Sequence, residues 1–398
     1  MKKEFKKLYF SYQDNILIVI VNRILIKIGI SISFFSSFLK RDEIFFFFPN
    51  YYLTGSNKVN LDILKAVQEL KPAVVMCGQS KDKFFYDDFK KYSGRFFDIS
   101  KWTSNPTIRY LMYGYWSGIL NRRKEHTVFF GSGKLFYEFL EYLDSDIKVI
   151  DLIHALDKDN RKYFFEQIEK IDRRIIINHE TKKQMIEEYE KRGFSKGYQN
   201  RLQVIYNGVD VPPYIEKRKR SPLKLLFVGR ESPVKRVYLA GRIATECKKR
   251  DISAEVVLVG DVEHVVDEAD RKNCIFVGSS SDVSGYYRDA DLLLITSSQE
   301  GFPLVVMEAM AYGVVPLCTD VGGMRDHICG GENGFLIENY DDEREIVREF
   351  VDIVLELTKD GQARRKISRN AYDYAKEHFS RERFKEEYNT LFSSFQGQ

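Results

Sequence analysis

Three observations predict an α/β protein built from two doubly wound domains. Short aliphatic and aromatic runs alternate with amphipathic stretches along the chain, as in repeated βα units. The runs are apolar on consecutive residues, as strands buried on both faces of a parallel sheet must be. A segment of turn formers and charge divides them into two sets, residues 206–213 (Tyr206-Asn-Gly-Val-Asp-Val-Pro-Pro213) followed by the basic stretch 216–220.

In chain order the first set of runs is 44–48, 73–77, 127–130, 147–153 and 175–177. The second set is 225–228, 256–259, 275–277, 292–295 and 314–317. The boundaries read as an apolar and basic N-terminal segment 1–41, a first Rossmann-like domain 42–206, a linker 207–222, a second Rossmann-like domain 223–376 and a closing helix 377–398. At 398 residues and 44% hydrophobic content the chain is long enough for two cores. A net charge of +4 from 62 basic and 58 acidic residues gives no case for nucleic-acid binding. The five cysteines (Cys77, Cys247, Cys274, Cys318, Cys329) are scattered and odd in number, which predicts reduced thiols in the cytosol and no disulfide framework.

Apolar residues 16–21 and 28–39 are interrupted by Arg23 and Lys27, and neither run reaches the roughly 20 residues of a spanning helix. No span and no signal peptide are expected. Lys2, Lys3, Lys6, Lys7, Arg23, Lys27, Lys40 and Arg41 fit a segment lying on an anionic membrane. The competing reading, packing on the sheet as core, is the expectation.

The most informative stretch is 292–313. Its aliphatic run reads as a buried strand, Pro303 is placed in the first helical turn, and Gly313 ends the helix. Glu300 then stands at the strand-to-helix turn and Glu308 about two turns along, where both face a ligand held over free helical N–H groups. Arg230 follows the run 225–228 through Gly229, at the carboxyl end of a strand, with Lys235 close behind. A planar fork and a compact ammonium suit phosphate oxygens. No metal site is expected. Asp144/Asp146 and Asp289/Asp291 precede apolar runs and so fall at the amino ends of strands, Asp157/Asp159 reads as a solvated helix start, and no His or Cys cluster has ligand spacing.

These residues resemble the family-four retaining glycosyltransferases of the GT-B type. The resemblance rests on Glu300-Gly301-Phe302-Pro303-Leu304 with Glu308, on 315–323 with its Asp320-Val-Gly322-Gly323, on Glu332-Asn333-Gly334, on Phe227-Val228-Gly229-Arg230 with Lys235, and on 204–210. It is dense over roughly 200–340 and loose before that. The resemblance implies two Rossmann-like domains facing across a central cleft, with the last helix crossing back to the first domain. It implies that Glu300 contacts the donor sugar, Glu308 the ribose, and Arg230 and Lys235 the diphosphate, with Gly229, Gly301, Phe302, Pro303 and Leu304 lining the donor site. In the first domain, Gly55 matches one position of a glycine-rich loop that nears the diphosphate, while Thr54 and Asn57 depart from it. His154, at the end of a strand, matches a histidine near the donor sugar.

The implied activity is metal-independent transfer of a sugar, with retention, from a nucleoside diphosphate sugar to a hydroxyl. No cofactor is expected. The acceptor expected is a saccharide or lipid-linked saccharide of a bacterial capsule, O-antigen or exopolysaccharide, and the location expected is the cytoplasm, at the inner face of the membrane. The alternatives are a sugar-nucleotide epimerase or phosphorylase of the same fold, and a non-catalytic nucleotide-binding subunit.

Overall fold

The computed structural model describes residues 16–36, 44–122, 126–131, 133–154, 163–217, 221–280 and 282–395. Lys2, Lys3, Lys6, Lys7, Lys40, Arg41, Asp157 and Asp159 lie outside them. The chain forms two compact units, one of residues 1–176, 185–203 and 385–398 and the other of 177–184 and 204–384.

The first unit holds a sheet of seven strands: β1 (Ile44–Phe48), β2 (Ala73–Met76), β3 (Arg95–Asp98), β4 (Thr127–Phe130), β5 (Lys148–Ile153), β6 (Arg173–Ile176) and β7 (Leu202–Val204). Their order is β3-β2-β1-β4-β5-β6-β7, and the pairings through β1 and through β5 are parallel. The second unit holds six: β8 (Leu223–Val228), β9 (Ala254–Val259), β10 (Cys274–Gly278), β11 (Leu292–Ile295), β12 (Val315–Thr319) and β13 (Phe335–Ile337), in the order β10-β9-β8-β11-β12-β13. Every pairing in this sheet is parallel. Both sheets are therefore doubly wound, with strand order reversing between β1 and β4 and between β8 and β11. In such sheets ligands bind off the carboxyl ends at that reversal.

The sequence runs supply ten of the thirteen strands. The other three, β3, β7 and β13, are edges. An edge strand is covered less completely and needs no unbroken apolar run: β3 (Arg-Phe-Phe-Asp) is nowhere fully buried, whereas every residue of β1 is. In the first core the phenylalanines of β1 and β4 meet Trp116 and Phe139, and Phe392 closes the other face against Phe46 and Phe129 at ring separations of 5.4 and 5.9 Å. The charged stretch after 360 forms two helices, Gly361–His378 and Arg381–Ser393.

Of the N-terminal segment 1–41, expected to pack on the sheet as core, only residues 16–36 are described, and their inward face packs on a helix instead of the sheet. Residues Ile16–Ser33 form a single helix that lies along the helix Ile108–Leu120. Glycines set the close approach: a Cβ on Gly29 would stand 2.2 Å from the Leu111 carbonyl oxygen, and one on Gly114 would stand 2.1 Å from that of Ile26. The guanidinium of Arg122 donates to the Ser33 carbonyl at 2.8 Å and covers the Phe34 ring, so a cation holds the carboxyl end of the helix. The opposite face stays in solvent, with Leu17, Ile20, Ile24 and Ile28 exposed. No helix among the described residues is long and apolar enough to cross a membrane.

Candidate functional site

The loops after β8 and β11 meet at the reversal of the second sheet, and they are stitched together by backbone and buried polar groups. Ser298 N–H donates to the Val234 carbonyl at 2.7 Å, and the Thr296 hydroxyl reaches the carbonyls of Lys235 and Arg236 at 2.9 and 3.1 Å. Arg236 returns the contact. Its guanidinium donates to the Thr296 and Ser297 carbonyls at 2.8 and 3.1 Å and to Asn339 Oδ1 at 2.6 Å, and the residue is buried. To do so it takes a left-handed backbone conformation at φ 44°, which costs a non-glycine residue energy that the three acceptors offset.

On this frame stand the residues read from the sequence. Lys235 closes the 3-10 turn Pro233–Lys235, and its ammonium makes an ion pair with Glu300 Oε1, both side chains being mostly buried. The Ser297 hydroxyl donates to the same carboxylate oxygen at 2.7 Å. An ammonium has three donors, so the contact to Glu300 leaves others for a ligand. Arg230 is exposed just past the end of β8, with no side-chain partner among the described residues. The turn at Gly322 and Gly323 backs the Glu300 loop. Gly322 has φ 58°, a Cβ there would lie 1.9 Å from the Glu300 carbonyl oxygen, and Gly323 N–H donates to the Gly301 carbonyl at 2.7 Å.

The helix Leu304–Ala311 begins one residue later than the sequence indicates, with Pro303 as its extended N-cap, and Gly313 ends it at φ 65°. Leu304 and Pro303 are half-buried at this end. Glu308 lies half-buried farther along and accepts from the Tyr287 hydroxyl at 2.9 Å. Burial, and then the Glu308 carboxylate, pushes the Tyr287 phenol well up, so it stays a donor. Phe302 points elsewhere: its ring is buried against His327 and Phe379 at 4.3 and 5.5 Å, so only its backbone faces the loop. Gly229 is held by its N–H to the Val259 carbonyl at 3.0 Å.

Gly55 and His154 belong to the first unit. Gly55 opens the helix Gly55–Ala66 behind an N-cap in which Thr54 accepts from Asn57 N–H at 3.2 Å, and a Cβ at Gly55 would meet nothing within 4 Å. His154 follows β5; its buried Nε2 has no partner among the described residues, and burial lowers its pKa to about 4. Its imidazole is neutral at ordinary pH.

At the reversal of the first sheet the structure adds a feature the sequence did not reveal. A cavity of about 460 Å³ lies off β1, β2 and β4, lined by Pro49, Asn50, Gly78, Arg109 and Lys134 among others. Arg109 Nη1 and Lys134 Nζ each lie 3.3 Å from an oxygen of Glu138, and the Tyr113 hydroxyl donates to that carboxylate at 3.1 Å. Two cations on one carboxylate give the cavity a positive lining.

Among the described residues no group of three or more His, Cys, Asp or Glu side chains is placed to hold a metal ion. Asp291 sits at the amino end of β11 and accepts from Lys224 N–H at 3.0 Å, and Asp289 pairs with the Lys224 side chain. All five cysteines are free thiols.

Comparison with known proteins follows the same lines. The family model for glycosyl transferases group 1 matches residues 214–374. The N-acetyl-alpha-D-glucosaminyl L-malate synthase of Bacillus anthracis is 29% identical over 213 residues, which are 48% of this chain and 53% of that protein. The capsular polysaccharide biosynthesis glycosyltransferase CapM of Staphylococcus aureus is 24% identical over 151 residues, 36% of this chain and 38% of its own. The chain thus spans about half, or less, of these curated relatives. The crystal structure of Anabaena HepE with UDP and glucose superposes with a TM-score of 0.69 over 88% of this chain and 99% of that one, at 16% identity, a likeness of fold. That fold is GT-B.

Proposed function

Residues 214–374 match the family model for glycosyl transferases group 1, and from that premise we propose that the protein is a retaining, metal-independent glycosyltransferase using a nucleoside diphosphate sugar. The observation that carries the reading is the Lys235–Glu300 pair on the stitched loops at the reversal of the second sheet. Breaking the bond from sugar to diphosphate builds negative charge on the leaving phosphate. A fixed cation stabilises that charge more in the transition state than in the ground state. Lys235 supplies it from a turn held by the facing loop, and Arg230 supplies an exposed fork. Glu300 holds sugar hydroxyls, Glu308 ribose hydroxyls, and the first N–H groups of the helix Leu304–Ala311 face the phosphates. With both glutamates assigned to hydroxyls, no carboxylate is assigned as a nucleophile at the donor carbon, so positioning and leaving-group stabilisation dominate the rate.

The HepE crystal contains UDP and glucose, which makes UDP the first base to try. The cationic cavity at Arg109 and Lys134 suits an acceptor that carries negative charge, and CapM, of capsular polysaccharide biosynthesis, favours a surface polysaccharide, assembled on a lipid at the cytoplasmic face of the membrane.

The test is a thermal-shift panel of nucleoside diphosphates followed by a product assay in excess chelator. One nucleotide raises the transition by mass action, and transfer to the acceptor continues without divalent ions, the anomeric configuration of the donor being kept in the product. No shift with any nucleotide overturns the donor assignment. Turnover without acceptor, or dependent on phosphate, makes the protein an epimerase or a phosphorylase. Loss of turnover in chelator, restored by one divalent ion, removes charge neutralisation from Arg230 and Lys235.

The backing turn gives a second expectation. Gly322→Ala drives a methyl into the Glu300 carbonyl at a left-handed φ, so Glu300 shifts by about an ångström and turnover falls by about a hundred-fold. Steady-state kinetics with circular dichroism checks this. A normal rate in a folded variant means that the turn does not position Glu300.

A further inference from the structure

We propose that the outward face of the helix Ile16–Ser33 is a docking surface for an anionic lipid bilayer. The helix is amphipathic in the inverted sense. Its inward stripe, Ile18, Asn22, Ile26, Gly29 and Ser33, mixes apolar, small and polar residues against the helix Ile108–Leu120. Its outward stripe, Leu17, Ile20, Ile24 and Ile28, is aliphatic up to Ser31, yet these four side chains are 68%, 47%, 51% and 44% exposed. At 100° per residue those four fall within one narrow sector, and Phe34 and Phe35, 65% and 88% exposed, continue beyond the helix. A contiguous exposed apolar strip of this kind marks an interaction surface.

Charge identifies the occupant. Arg23 and Lys27 are exposed along one edge of the strip. Residues 1–41 carry eight basic and two acidic side chains, a net +6 within a chain whose total is +4, so the remainder is net −2. A second copy laid on this face would bring two such edges of Arg23 and Lys27 together, whereas an anionic headgroup layer neutralises them. The helix is too short and too interrupted by charge to cross, so it lies in the interface plane, aliphatic side chains in the acyl boundary and basic ones at the phosphates.

Docking there also places a route to the acceptor-side cavity. A second cavity of about 300 Å³ lies beside the helix, lined by Ile18, Asn22, Arg23, Tyr110 and Tyr142, and Arg109 lines both this cavity and the one off β1 and β4. A headgroup phosphate entering beside the helix meets Arg23 first and Arg109 next.

The experiment is co-sedimentation of the full chain with vesicles of phosphatidylcholine alone and of phosphatidylcholine mixed with phosphatidylglycerol, at low and high salt. Two variants change exposed residues only: Ile20→Ser with Ile24→Ser and Ile28→Ser, and Arg23→Glu with Lys27→Glu. The wild type binds the anionic vesicles preferentially and less so in salt. The serine variant loses at least about tenfold in partitioning on both vesicle types. The charge variant loses about as much on the anionic vesicles alone. Nucleotide thermal shifts identical to wild type show that both variants are folded, and the readout needs no transfer activity. Equal partitioning of wild type and serine variant, or no preference for anionic lipid, overturns the proposal. So does a wild type that is dimeric without lipid and made monomeric by the serines, since the face is then covered by a second copy.

Discussion

Lys235→Ala is expected to lower turnover by about two to three orders of magnitude, about 3–4 kcal/mol of transition-state stabilisation, with the fold intact. Lys235 stands on a turn fixed by three separate contacts from the facing loop, so its ammonium waits where charge will develop and needs no reorganisation. The loss should appear mainly in kcat, because an interaction that strengthens in the transition state is removed. Alanine also leaves the Glu300 carboxylate with the Ser297 hydroxyl alone among the described residues, and Lys235→Met with Glu300→Gln separates that effect in a double-mutant cycle. Arg230→Ala is expected to be costly as well, by about two orders, although its exposed side chain must first be ordered by the donor. Steady-state kinetics at saturating donor decides both, and near-normal rates in the two single variants would remove leaving-group stabilisation from these cations.

The largest effect on stability should come from the first unit. Arg174 is buried with Asp151: its Nε donates to Asp151 Oδ2 at 2.9 Å, its Nη1 to the Tyr189 hydroxyl at 2.8 Å, and the Tyr137 hydroxyl donates to the same carboxylate at 2.8 Å. Burial pushes the Asp151 carboxyl up, and Arg174 and Tyr137 pull it back toward the charged form. Arg174→Met strands a carboxylate beneath the sheet and is expected to cost about 3–5 kcal/mol. Asp151→Leu combined with Arg174→Met should recover much of that, since no charge is left without its partner. Urea denaturation followed by near-ultraviolet circular dichroism checks the pair. A single variant losing less than about 1 kcal/mol would mean that water or backbone groups replace the guanidinium.

Residues whose role is set by the local chain were legible in the sequence. Glu300, Gly313 and Arg230 announce themselves by standing near the ends of an aliphatic run or a helix, and the structure puts Arg230 just past β8, Gly313 just past the helix Leu304–Ala311 and Glu300 in the loop between β11 and that helix. Residues whose role is set by a distant partner were not. Nothing near Arg236 distinguishes a buried cation bonding to the carbonyls of 296 and 297 from the surface charge beside it. Arg109, Lys134 and Glu138 come from two helices and become a cluster only when β1 and β4 are neighbours. Phe302 shows the converse: its place in a donor-binding motif says nothing of the ring, which the core of the second unit claims. The helix Ile16–Ser33 reads as core for a related reason. Composition reports how apolar a helix is and not how much of its circumference a neighbour covers.

The first unit is assembled from three separate stretches of chain, and Phe392, from the last of them, roofs Phe46 and Phe129 of its two central strands. During synthesis the order of emergence and the order of completion therefore differ. The strands β1 to β7 leave the ribosome first, and Phe89 already packs on Phe48, but the patch at Phe46 and Phe129 lacks its Phe392 cover until the second unit has been made in full, a wait of some tens of seconds at ordinary elongation rates. The second unit, nearly continuous in sequence, has no such delay. Nascent chains arrested before residue 385 should then hold a protease-resistant second unit beside a first unit that is cut readily and recruits chaperones.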